Sequence, residues 1–170
     1  MKLLRMVLVL TAAVCICVLS AARKAGAEHF GVLVRVSADG NQVSATMDTS
    51  PPPQGYNPRP VIEVQTGDPV VVDWHLINQY PHGGIPHVGV HFFVVKEKSV
   101  GQKEVPSLTG SGLVLDDQFM MDFAKHAEAK GRVKFRAGAP GIYLVRLQSE
   151  NTSQQFGHEH FGAIDLKVTD

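Results

Sequence analysis

The chain has 170 residues, 44% of them hydrophobic, with 16 basic and 16 acidic side chains in exact balance. Both of its cysteines, Cys15 and Cys17, lie in an N-terminal apolar run. A chain trimmed of that run therefore has no thiolate chemistry, no disulfide and no cysteine-based metal site.

Residues 1–27 are expected to be a secretory signal peptide. Lys2 and Arg5 make a basic start, Met6 to Leu19 an apolar run, and Ala25-Gly-Ala27 a small-residue exit, with Ser20-Ala-Ala22 as a second one. The run is shorter than the roughly 20 residues that cross a bilayer, and an uncleaved anchor is the alternative. Cleavage after Ala27 would leave residues 28–170 as a single exported domain, periplasmic or extracellular, with no membrane insertion. Losing Lys2, Arg5, Arg23 and Lys24 leaves 12 basic against 16 acidic residues, a net charge of −4. No basic stripe for nucleic acid and no polybasic face for an anionic membrane is legible in that balance.

Phe30 to Val36 and Gln42 to Met47 read as two strands joined by Asp39-Gly40, a hairpin turn signal. Ser50 to Pro60 carries five prolines and reads as an extended connector. Val61 to Val64 is a short strand, turned by Thr66-Gly-Asp68. Val70 to Ile77 then alternates, with Val70, Val72, Trp74 and Leu76 facing a core that Trp74 should anchor. Val88 to Val95 is apolar on both faces, as a covered central strand would be. Lys96 to Gly112, polar and broken by Gly and Pro, reads as a loop. Asp116 to Lys130 is expected to hold a short helix or turn, because Ala124 to Lys130 is rich in helix formers. Gly131 to Arg136 and Ile142 to Gln148 alternate around an Ala139-Pro-Gly141 turn, and Gly162 to Thr169 closes the chain. Seven or eight short strands with at most one short helix predict an all-β, antiparallel β-sandwich.

Two blocks carry a family resemblance. Pro60-Val-Ile-Glu-Val-Gln-Thr-Gly-Asp-Pro-Val-Val-Val-Asp-Trp-His-Leu-Ile-Asn78, followed by Pro81-His82, resembles the cupredoxin pattern in which strand, Gly-Asp turn, strand and Asn lead to a copper-binding His. Phe135-Arg-Ala-Gly-Ala-Pro-Gly-Ile-Tyr143 is similar to that family's Phe…Pro-Gly-x-Tyr corner, and His160-Phe-Gly162 to its His-x-Gly before the final strand. The resemblance spans roughly residues 57 to 170, interrupted between 96 and 130. It implies a Greek-key sandwich of the cupredoxin or immunoglobulin kind, with His82 and His160 as metal ligands. The chain departs from the electron-transfer members after the Tyr, where Leu144-Val-Arg-Leu147 offers no cysteine for blue-copper ligation. No axial Met follows the C-terminal His either.

The residues themselves rank the other histidines. His158 and His160 are i, i+2 on an extended segment and share a face with Ile164, Leu166 and Val168. Two neutral imidazoles there suit Cu(II), Ni(II) or Zn(II), against a solvated loop as the plain alternative. His87 and His91 are i, i+4 on one strand, about 13 Å apart, too far to share a compact site without a bulge. His91 reads as easily as a hydrogen-bonded core histidine. His75 beside Asp73 reads as a surface residue, and His126 near Asp116, Asp117 and Asp122 as part of a solvated loop. His29 would need cleavage after Glu28 to become N-terminal. Asn151-Thr-Ser153 is a glycosylation sequon only in a eukaryotic secretory route.

The expectation is therefore an exported, cupredoxin-like protein that holds or delivers one transition metal, copper foremost, with zinc or nickel behind. Its ligands would be His82, His91, His158 and His160, with His87 a further candidate. Beyond the ion, its partner would be another exported or membrane protein. With neither thiolate nor an evident general base, turnover of a substrate is not expected, and no Gly-x-Ser-x-Gly is present. The alternative is an exported interaction module with no metal site.

Overall fold

In the computed structural model, residues 30–46, 59–150 and 160–170 are described. The signal segment, His29, residues 47–58 of the proline-rich connector, the sequon and His158 lie outside them. The described residues form nine strands: β1 (Phe30–Ala38), β2 (Asn41–Thr46), β3 (Val61–Gln65), β4 (Pro69–Asn78), β5 (Ile85–Glu97), β6 (Leu113–Phe123), β7 (Glu128–Arg136), β8 (Gly141–Glu150) and β9 (His160–Thr169). They form a four-stranded sheet, β2-β1-β4-β7, packed on a five-stranded sheet, β3-β9-β8-β5-β6. The expected all-β sandwich is what forms.

Alternation explains the packing. Val32, Val34 and Val36 of β1 and Val70, Val72 and Leu76 of β4 are almost fully buried against Val90, Phe92, Val94, Leu147, Ile164 and Leu166 of the opposite sheet. Phe93, Val95, Leu144 and Ala163 point the other way and are covered by Leu108 of the 98–112 loop and Leu113 at the start of β6. That second layer is why β5 is apolar on both faces. It also makes β8 buried along most of its length, where simple alternation was expected. The Asp39-Gly40 turn takes φ of 45° and 75°, the doubly left-handed geometry that tight hairpins select.

Three expectations are corrected. The sandwich is not wholly antiparallel, because β3 runs parallel to β9, from Val61 opposite Asp165 to Gln65 opposite Thr169. The 116–130 stretch forms no helix. Phe119, Met121 and Phe123 alternate inward along β6, residues 124–127 turn with His126 at φ 59°, and β7 begins at Glu128. Pairing with β5 and β4 satisfies one side of β6 and β7, and this tertiary gain overrides the local helix preference of Ala124 to Lys130. Trp74 faces inward as expected but is only partly buried. Its indole lies over Gly131, where an added Cβ would overlap the ring, and it meets Phe119 of the other sheet at 6.1 Å between centroids.

Candidate functional site

One end of the sandwich carries two of the residues that the sequence singles out, His160 and His82. Phe30, at the start of β1, is opposite Asn78, at the end of β4. Its ring packs edge-on against Phe123 at 5.1 Å and against His160 at 5.8 Å. His160 is 1% exposed and opens β9 on the inner face, the face of Ile164, Leu166 and Val168. Across the β8–β9 ladder it is opposite Ser149, which is also buried. The Ser149 Oγ has no hydrogen-bond partner among the described residues.

Asn78 builds the rim of this end. Its fully buried amide donates to Gly83 O at 3.1 Å and Ala124 O at 2.9 Å, and its Oδ1 accepts from the Tyr80 amide at 2.9 Å. One side chain thus ties the β4–β5 loop to the β6–β7 turn. The loop carries His82, which is exposed and sits edge-on to Tyr80 at 5.4 Å.

His91 and His87 do not join this end's interior. His91 lies on the outer face of the five-stranded sheet, with Phe93, and bonds Asp116 through Nε2 at 2.6 Å. His91 and His160 therefore face opposite sides of one sheet, and no single compact site takes both. The cause is parity: the residues of β5 that share the inner face are Val88, Val90 and Phe92. His87 is exposed at φ 53° in the register shift between Ile85 and Val88, and its amide donates to Asp122 at 2.7 Å. The shift is a β-bulge, the device that would have been needed, yet it turns His87 to solvent. His75 sits 3.1 Å from Glu128 on the outer face of the four-stranded sheet. Among the described residues, no three His, Cys, Asp or Glu side chains are grouped to hold a metal ion.

A charged cluster was missed. Glu97 at the end of β5 and Asp165 in the middle of β9 have fully buried side chains flanking Arg59, at 2.8 and 2.9 Å. Arg59 also donates to Gln102 O at 3.0 Å, and the Gly101 amide donates to Asp165 Oδ2 at 2.6 Å. Connector, loop and closing strand are pinned together at this point. Burial pushes the Glu97 carboxyl up to about 6 despite Arg59, and burial likewise raises Asp165 despite the Gly101 amide and Arg59. The signal lies in the sequence as Ile164-Asp165-Leu166, an acid inside a closing strand.

The outer face of the four-stranded sheet also departs from expectation. Strand β7 alternates so that Glu128, Lys130, Arg132, Lys134 and Arg136 all point outward. A basic stripe is therefore present, which a net charge of −4 concealed. Arg132 bonds Asp73 at 2.5 Å and holds its carboxyl below the usual range, and Lys130 does the same for Glu128 at 2.6 Å. Arg136 donates to Gly67 O. No ion-pair partner is recorded for Lys134 among the described residues.

Set beside known proteins, the chain matches no family model and no curated protein.

Proposed function

We propose that the protein is an exported, cupredoxin-like β-sandwich that holds a transition metal, copper foremost, through histidines at one end of the fold. His160 and His82 are the described residues in the reading, with His158 joining through its i, i+2 spacing from His160. His91 and His87 drop out. The observation that carries the reading is His160: a buried imidazole at the inner-face end of β9, opposite a buried Ser149 hydroxyl without a described partner. Polar atoms buried at the end of a core are usually matched by a polar group or an ion. Neutral imidazole suits Cu(II), with Zn(II) and Ni(II) behind it. With no thiolate in reach the chemistry is holding or handing over the ion, and residues 30–46, 59–150 and 160–170 alone do not complete its coordination.

A second reading has its own support. The described residues hold no group of three metal-binding side chains, which suits an exported accessory module that works through its surfaces. Titration of the purified protein with Cu(II), followed by calorimetry and by thermal unfolding, separates the two. Metal holding predicts one equivalent bound and a raised melting temperature, since a ligand that binds only the folded state stabilises it. His158→Ala combined with His82→Ala should abolish both effects. No binding, or binding unchanged in the double variant, refutes metal holding at this end.

A further inference from the structure

The sandwich is ajar along one side. Strands β6 and β7 are the last strands of the two sheets, joined by the turn at residues 124–127, so both edges lie on the same flank. Partly buried apolar residues concentrate there: Leu115, Phe119 and Met121 on β6, Val133 and Phe135 on β7, and Trp74 behind them. Neither edge is paired with another strand among the described residues.

The two edges carry opposite charge. Strand β6 has Asp116, Asp117 and Asp122 and no cation, whereas β7 has Lys130, Arg132, Lys134 and Arg136 against Glu128 alone. Such charges protect an edge against indiscriminate pairing. Here they differ in sign between two edges of one flank, and that makes the flank complementary to itself.

We propose that this flank is a homodimer interface in which β7 of each protomer lies beside β6 of its partner. A two-fold axis parallel to the strands exchanges the two sheet layers while keeping strand direction. Because β6 turns directly into β7, the two strands run oppositely, and the axis brings β7 against the partner's β6 in antiparallel fashion. Both contacts form at once, and the assembly closes as an isologous pair with no open end. Each edge gains ladder hydrogen bonds, basic side chains meet acidic ones on the outer faces, and the apolar residues at the mouth are covered from both sides. Nine paired residues at about 3.4 Å each and two layers about 10 Å apart, with their side chains, cover roughly 600 Å² per protomer. Specific interfaces commonly bury about 800 Å² per partner, so the dimer should be reversible and sensitive to salt.

Sedimentation velocity of the purified protein between roughly 1 and 500 µM, at about 20 mM and about 500 mM salt, reads the association directly. The expected result is a concentration-dependent dimer that high salt weakens at least about tenfold. Two charge-altered variants then test the edges. Lys130→Glu with Lys134→Glu makes both edges acidic, and Asp117→Lys with Asp122→Lys leaves Asp116 as the single acid of β6 and makes that edge basic. Each variant should be monomeric alone, and an equimolar mixture should restore a one-to-one dimer, which only two folded partners can form. A protein that stays monomeric throughout, dimerises independently of salt, or gives variants that do not recover on mixing overturns the proposal.

Discussion

Replacing Arg59 by Met should destabilise the protein by an amount that depends on pH. Arg59 is set between two carboxylates with fully buried side chains, Glu97 and Asp165. Methionine keeps much of the aliphatic stem and removes the charge, leaving both acids uncompensated. Breaking a buried ion pair from one side costs about 3–5 kcal/mol. The loss is capped, because a stranded carboxylate can take up a proton. Glu97 is already at about 6 in the native protein, against 4.5 for an ordinary Glu, so its ionised form costs the native state about 2 kcal/mol above pH 6. The sign follows from proton uptake. Between pH 6 and 4.5 the folded state binds more protons at Glu97 than the unfolded chain does, so this group's contribution rises as pH falls. Asp165, also raised by burial, moves the same way as pH falls. Without Arg59 both carboxyls shift further up, so acid helps the variant more than the wild type and the gap narrows. The expected loss is about 3 kcal/mol at pH 7.5 and about 1 kcal/mol at pH 5. Urea unfolding of both proteins at the two pH values measures it. A loss under about 0.5 kcal/mol at pH 7.5, or the same loss at both pH values, refutes the account of the cluster.

Two further substitutions probe the rim and the mouth. Asn78→Ala removes an amide that makes three hydrogen bonds in a fully buried position, and should cost about 3 kcal/mol in thermal or urea unfolding. It should also speed amide exchange in the loop at residues 79–84; unchanged exchange would show that Asn78 does not hold His82 in place. Gly131→Ala puts a methyl into the Trp74 indole and should cost about 1–3 kcal/mol, with a red shift in the fluorescence of the sole tryptophan. Unaltered emission and stability would mean that the indole can move aside freely.

Much of the fold was legible because its signals are local. Alternation in Val70 to Ile77 identified the inward residues of β4, and the Asp39-Gly40 turn joined β1 to β2 as its chemistry demands. The same parity set His160 on the face of Ile164. It could not assign a face to His91, since Val88 to Val95 is apolar on both sides and alternation carries no information there. The 116–130 stretch misled for a related reason. Helix propensity in Ala124 to Lys130 amounts to tenths of a kcal/mol per residue, and a ladder with β4, far away in sequence, outweighs it.

By itself the sequence determined that the protein is built from strands, where most of them turn, and which side of each half-buried strand is apolar. Those properties follow from side-chain alternation and turn geometry within a few residues. Tertiary structure alone decided which distant residues share an environment. It buried Glu97 and Asp165 around Arg59, set His91 and His160 on opposite sides of one sheet, and brought an acidic edge and a basic edge to one flank. Each outcome depends on strand order and on what covers each face, and those are fixed only when the sheets pair and pack.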